Sequence, residues 1–438
     1  MRFAGILMVF SVGAGCGDDG GGNSPVDAAP ADTAIDSAPQ PVTVTAKDRG
    51  TGVANLAVVF HDPTGALLGQ TTTDASGNAT LAMPAGGMVT VIDDREGGEL
   101  KPMTVGGVEP GDALTFTLYE LKPAGTPTTS ATLSIPTIPN VAGFQFNTGC
   151  EGISTGSGSS SIPANITTRC LDAAEKFHVL GMAHANGQPR AWTLLADQPK
   201  TTTSATFPAW NETLETVSLF LEGIPADTES MSLSLRVRIG GTPRYWHGAD
   251  VSGASGTASI LAPPGVGDAR LWYGEAHLPI ANGFDPQFGI LAVTSPTVAN
   301  ASFDFATSPL PRADAIGIDL TGAPKLTWSV TGAAGSTDRI VLSLQADQGP
   351  RDIEWLISLP PDAVSPFTLP ALPGDLASIL PTANDDPYPF MMLVDVENMD
   401  STQVRADAMR WARRAIEGSP DDAAPFRMRT SSVQIFSN

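Results

Sequence analysis

The chain has 438 residues, 16% of them charged, with 46 Asp and Glu against 24 Lys and Arg and a formal net charge of −22. So acidic a surface cannot displace the counterions condensed on a phosphate backbone, which excludes nucleic acid as a partner. Apolar residues make up 42% of the chain, enough for packed cores, and 45 Gly and 37 Pro cut them into the short runs of an all-β protein.

The chain opens MRFAGILMVFSVGAGC, with one cation (Arg2), an apolar run from Phe3 to Val12, then Gly13, Ala14, Gly15 and Cys16. That is the layout of a secretory signal, and the run is too short to cross a bilayer as a helix. Small residues leading directly into a cysteine resemble the lipobox of bacterial lipoproteins, with Gly13 where the family usually has Leu. The resemblance implies that residues 1–15 are a signal peptide, that the Cys16 thiol is diacylated, and that the protein meets its membrane through that lipid. Plain secretion is the alternative. Residues 16–41 then carry five Asp, no Lys or Arg and almost nothing apolar, and read as a disordered acidic linker. Its r.m.s. reach is roughly 25–30 Å. In some Gram-negative bacteria, Gly17 in place of Asp after the lipidated cysteine implies the outer membrane rather than retention in the inner one.

Residues 42–121 read as a small β-sandwich. VTVT, LAVVF, ALLGQTTT, NATLAM and MVTVI are strand-like runs, separated by Asp62-Pro63-Thr64-Gly65, Asp74-Ala75-Ser76-Gly77 and Pro84-Ala85-Gly86-Gly87. The order Gly52-Val53, TTTDASGNATL and Pro-x-Gly resembles carboxypeptidase regulatory-like domains, of transthyretin-like fold. The group to which these belong has a carbohydrate-binding-like fold, which makes glycan binding an extension of the resemblance. Residues 122–130 read as a linker.

From residue 131 three sixteen-residue windows align without gaps: 177–192, 231–246 and 340–355, each an alternating strand, a Gly-containing turn and a terminal Trp (Trp192, Trp246, Trp355). They imply three tandem sandwiches, 131–214, 215–322 and 323–438, which resemble fibronectin type III or Ig-like modules, with each Trp a core plug. The fold class expected is therefore all-β, a chain of tandem antiparallel sandwiches. The first copy carries a Gly/Ser-rich loop, 146–170. With Cys16 lipidated, Cys150 and Cys170 are an even pair in an oxidising compartment and read as a disulfide closing that loop. Residues 403–417 have helical spacing (Val404, Met409, Ala412, Ile416), read as a short helix packing on a sandwich end.

The candidates for chemistry are weak. Gly152-Ile153-Ser154-Thr155-Gly156 matches G-x-S-x-G, yet the nucleophile elbow needs a strand before it and a helix after it, and here it sits in the Gly/Ser loop. The histidines (His61, His178, His184, His247, His277) form no zinc motif, although His178 and His184 share a strand face. Asp93, Asp94, Glu96 and Glu99, and Asp385-Asp386, lack the spacing of a Ca²⁺ loop. No metal and no cofactor is expected. Tyr245-Trp246 and Trp272-Tyr273 are candidate sugar-stacking aromatics, with Trp core packing the competing reading. The sequence thus reads as a non-catalytic, exported, lipid-anchored envelope protein presenting sandwiches to an envelope protein or glycan. A carbohydrate-binding surface lipoprotein is the alternative, and a hydrolase the remote one.

Overall fold

The computed structural model describes residues 40–435, apart from 49, 96–98, 120–125, 253–255, 281, 307–308, 333–334, 349–351 and 418–423. The signal segment, Cys16, nearly all of the acidic linker and Glu96 lie outside the described residues. The fold is all-β, and residues 38–438 form one compact unit.

One seven-strand arrangement occurs three times, and a fourth module varies it. The first module contains β1 (Gln40–Asp48), the two-residue β2 (Thr51–Gly52), β3 (Ala57–His61), β4 (Leu67–Thr72), β5 (Asn78–Met83), β6 (Gly87–Asp93), β7 (Glu99–Val108) and β8 (Ala113–Tyr119). Setting β2 aside, the first, fourth and seventh strands form a small sheet β5-β1-β8, and the others a second sheet, β4-β3-β6-β7. β1 is antiparallel to β5 and parallel to β8.

The second module repeats this with β9 (Pro127–Ser134), β10 (Gly143–Asn147), β11 (Gly152–Gly156), β12 (Ser161–Thr167), β13 (Lys176–Ala185), β14 (Gln188–Pro199) and β15 (Ser204–Thr206), as β12-β9-β15 and β11-β10-β13-β14. The third does so with β16 (Glu215–Glu222), β17 (Ser230–Ile239), β18 (Thr242–Ser252), β19 (Thr257–Ala262), β20 (Ala269–His277), β21 (Phe284–Thr294) and β22 (Asn300–Asp304), as β19-β16-β22 and β18-β17-β20-β21. In both, the first and seventh strands are again parallel.

The fourth module holds β23 (Arg312–Asp319), β24 (Lys325–Thr331), β25 (Arg339–Asp347), β26 (Asp352–Leu359), β27 (Phe367–Thr368), β28 (Tyr388–Val396), helices α1 (Ser401–Ala406) and α2 (Ala408–Glu417), and β29 (Phe426–Ile435). Its second sheet, β26-β25-β28-β29, follows the same order. In its small sheet, β23-β24-β27, the place of the seventh strand is taken by β23, antiparallel and from the opposite end of the module.

Local chemistry explains the strands and their turns. β16 buries Val217, Leu219 and Leu221 in alternation, the period of a strand with one covered face. Asp62 Oδ1 accepts from the Thr64 and Ala66 amides over 2.8 and 3.0 Å, and Asp74 does the same for Ser76 and Asn78. These side chains imitate backbone turns, and Gly65 and Gly77 supply the positive φ (86° and 80°) that follows.

Three of the four larger sheets fuse into one of twelve strands, β18-β17-β20-β21-β29-β28-β25-β26-β7-β6-β3-β4. The seam between modules three and four is antiparallel, from Phe284↔Ile435 to Val293↔Phe426. The seam between modules four and one is parallel, β26 on β7. Fusion buries both faces of the inner strands: every residue of β6 is buried, which is why it reads as a continuous apolar run. On one face, Val59, Ile92 and Leu100 share a core with modules three and four. On the other, the interior of module one is continuous with Val404, Met409, Trp411 and Ala412 of the helices. Module two fills its interior with a core around Phe144, Phe146, Phe177 and Phe207, while Leu180 and Met182 on the other face of β13 join the core of modules three and four.

The helical spacing read over 403–417 corresponds to α1 and α2, broken at Asp407. Asp400 caps the first, accepting from the Gln403 amide while Gln403 Oε1 accepts from the Asp400 amide.

Buried arginines hold the joints. Arg244 donates to the carbonyls of Thr148 and His178 in module two and of Ile239 and Thr242 in module three. Arg339 links Ser358 to Gly106, and Arg413 on α2 donates to Thr117 O. Arg429 reaches Asp304 O across the seam between modules four and three, beside the partly exposed Arg427, which reaches Ser302 O. A planar guanidinium with five donors satisfies several carbonyls at once, which suits sheet ends that meet without a shared ladder.

Two expectations are corrected here. Windows 231–246 and 340–355 are both second-and-third-strand hairpins, but 177–192 is the hairpin β13–β14, the fifth and sixth strands of its module. Any amphipathic hairpin with a Gly turn has the same pattern, so the gapless match paired unlike hairpins. Trp192 is accordingly only half-buried, its Nε1 donating to Thr213 O, and the aromatic filling of module two includes Trp210, stacked on Phe144 at 5.3 Å.

Candidate functional site

Cys150, in the turn after β10, and Cys170, just past β12, form a disulfide with Cα atoms 5.0 Å apart. The segment between them is not a floppy loop, because it contains β11 and β12. Gly152–Gly156, the G-x-S-x-G match, is β11 itself, an edge strand paired only with β10, so no serine stands on a strand-to-helix turn. Alternating Ile153 and Thr155 against β10 provides the strand signal that the glycines masked.

The polar clusters serve the fold. Asp172 and Asp197 lie close enough to His178 to resemble a metal-ligand group. His178 Nδ1, however, accepts from the Asp197 amide over 3.1 Å, so Nε2 carries the proton and donates to Asp172 Oδ2 over 3.0 Å. Neither ring nitrogen keeps a lone pair for a cation. Asp93 pairs with Arg95, Glu99 with Lys101, and Asp385 accepts from Thr382 and Gln348. His61 is fully buried in module one, Nε2 bonded to Thr90 Oγ1 over 3.2 Å. Desolvation pushes its pKa down to about 4, opposed by the charge of Asp62.

Strand alternation divides the four candidate aromatics. Trp246 and Trp272 are 1% and 0% exposed, with their indole N–H groups donating to Leu261 O and Thr294 Oγ1. They are core residues, and a stacking platform of all four does not form. Their neighbours Tyr245 and Tyr273 point the other way, on the outer face of β18-β17-β20. Arg236, on the strand between them, lays its guanidinium 4.5 Å from the centre of the Tyr273 ring. Burial pushes the Tyr273 phenol up to about 12, against the opposing charge of Arg236.

That face opens into a groove of about 560 Å³ crossing the seam between modules three and four, flanked by Arg414, Ala415 and Ile416 of α2. Its floor is the register of the fused sheet: Gly289 opposite Thr430, Gln287 opposite Ser432 and Asp285 opposite Gln434. A Cβ at position 289 would collide with Thr430 Oγ1, so glycine keeps the floor low. Gln287 Nε2 and Gln434 Nε2 both donate to Asp285 Oδ2, over 2.9 and 3.4 Å. The sequence reading missed this groove, since it is made by two strands more than a hundred residues apart. The only signal in the sequence was the polar alternation of FRMRTSSVQI against FDPQFGILAVT.

No family model matches the chain, and no curated protein does. Among solved structures, it is similar to the Bacillus anthracis TIE protein at 11% identity and a TM-score of 0.16, over 61% of this chain and 50% of that one. The chain thus spans half the length of that protein. It is also similar to the shaft pilin SpaA of Lactobacillus rhamnosus GG (8%, TM-score 0.14, 61% of this chain and 96% of that one). A Streptococcal ancillary pilin stands at 10% and 0.14, over 60% of this chain and 98% of that one. Likenesses this distant transfer no role.

Proposed function

We propose that the protein is a non-catalytic envelope lipoprotein, exported, held to the outer membrane by lipid on Cys16, and presenting its fused sandwiches to an envelope partner. The observation that carries the interaction role is the groove across the module seam, lined by both polar and apolar side chains. The anchoring rests on the Gly15-Cys16 junction. Among the described residues, no helix is long and apolar enough to cross a membrane. Cys16→Ser should move the protein from the membrane fraction to the soluble one and abolish palmitate labelling. Unchanged membrane association would overturn the anchoring.

A second reading, glycan binding, is favoured by the same groove. Tyr273 offers a ring on its wall, and amide and hydroxyl groups line its floor, which is how protein surfaces hold polyhydroxylated ligands. Binding of the full chain on an array of envelope glycans tests it, with loss of signal expected in Tyr273→Ala.

A further inference from the structure

We propose that the groove takes an acidic oligosaccharide, with Arg236 as the partner of a sugar carboxylate; this rests on the glycan reading above. Arg244 is tied to four carbonyls, Arg339 to Gly106 and Ser358, Arg270 to Glu215, Pro263 and Val298, and Arg429 to Asp395. Arg236 makes no such bond among the described residues. Its one recorded partner is the Tyr273 ring, and its Nε is buried with no hydrogen-bond acceptor among the described residues. The Tyr273 hydroxyl beside it is likewise buried and unbonded. Buried donors left unpaired beside a groove cost stability. A carboxylate matches the guanidinium fork in charge and shape.

The rest of the groove selects for hydroxyl groups. From Met428 to Gln434 the floor runs along β29 for about 20 Å at ~3.3 Å per residue, longer than a single sugar ring. Asp285 has already taken one N–H from each of Gln287 and Gln434, which leaves both amide carbonyls and the second carboxylate oxygen as acceptors. Thr430 and Ser432 add hydroxyls on the same face. A peptide strand is the poorer fit. The floor strands β21, β29 and β28 are each paired on both sides, so they present no free backbone edge for strand addition.

The test is calorimetric titration of the full chain with tetragalacturonate, its fully methyl-esterified form and neutral cellotetraose. The expected result is binding of the acid, weakened by salt, at least about tenfold tighter than its ester. Arg236→Gln should weaken acid binding about 10- to 100-fold, to the level of the ester, without changing the melting temperature. If wild-type protein binds acid and ester alike, the carboxylate assignment is overturned while the glycan reading stands. If none of the three binds at millimolar concentration, both fall. The comparison of acid with ester needs no variant, so it decides the matter even if Arg236→Gln folds poorly.

Discussion

The Trp355 indole donates its N–H to Thr104 Oγ1 over 2.9 Å, across the parallel seam that joins module four to module one. Thr104 Oγ1 lies 2.9 Å from Thr90 Oγ1, which in turn meets His61 Nε2. A polar chain therefore runs across β26, β7, β6 and β3 within a face otherwise packed with aliphatics. Buried polar groups survive in such a place only when each finds a partner, and this chain is continuous except for His61 Nδ1.

Removing the plug at this seam should be costly. Trp355→Ala should destabilise by about 3–5 kcal/mol through lost contacts and a residual cavity. Trp355→Phe should cost less, roughly 1–3 kcal/mol, chiefly the hydrogen bond left unmade at Thr104. Because modules one, three and four share cores across the fused sheet, denaturant unfolding of all three should shift together. Loss of module four alone, with modules one and three unmoved, would contradict the shared core.

Acid should weaken the protein through His61. Its folded pKa of about 4 lies below the ordinary 6.5, so between those values the unfolded chain binds the extra proton. The contribution of His61 should fall by up to about 3 kcal/mol as pH drops through that window, and stay level above it. Asp338 acts in the opposite sense. Desolvation raises its pKa from 3.8 to about 6, so falling pH through that range favours the folded state. The denaturation midpoint of His61→Asn, taken relative to wild type, should therefore be higher at pH 5 than at pH 7.5. An equal shift at both values would remove His61 as the cause.

Reduction should act chiefly on module two. The Cys150–Cys170 bond closes a loop with a sequence separation of 20, for which the chain-entropy model gives about 3 kcal/mol. Since Cys170 belongs to the interior core of module two and not to the shared one, dithiothreitol should lower the transition of module two more than that of the fused modules. Alkylation of both thiols in unreduced protein would show that the bond does not form.

Cutting the Arg244 staple should release module two. Arg244→Met keeps the bulk but strips buried carbonyls of Thr148, His178, Ile239 and Thr242 of their donors, at about 1–3 kcal/mol each where water cannot replace them. Limited proteolysis should then cleave the connection between β15 and β16 faster than in wild type. Unchanged cleavage would mean that apolar contacts alone hold the joint.

Much was legible in the chain itself. Period-2 alternation with Asp-Gly turns dictates antiparallel hairpins, so the all-β class followed from residues such as Val217, Leu219 and Leu221. With Cys16 read as a lipidation site, Cys150 and Cys170 were left as a pair, and helical spacing marked Val404, Met409 and Ala412. These signals are local, and local physics suffices for them. What the tertiary structure decided was pairing. Alternation says that Tyr273 and Trp272 face opposite ways, but not which face is covered, and only the small sheet β19-β16-β22 settles that Trp272 goes inside. The repeated topology stayed hidden because first and seventh strands meet in parallel across a whole module, and because unlike hairpins share one pattern. The groove depended most on the fold: Gly289 and Thr430 come opposite each other only when two module edges fuse, and strand edges carry backbone donors and acceptors that are the same in every sequence.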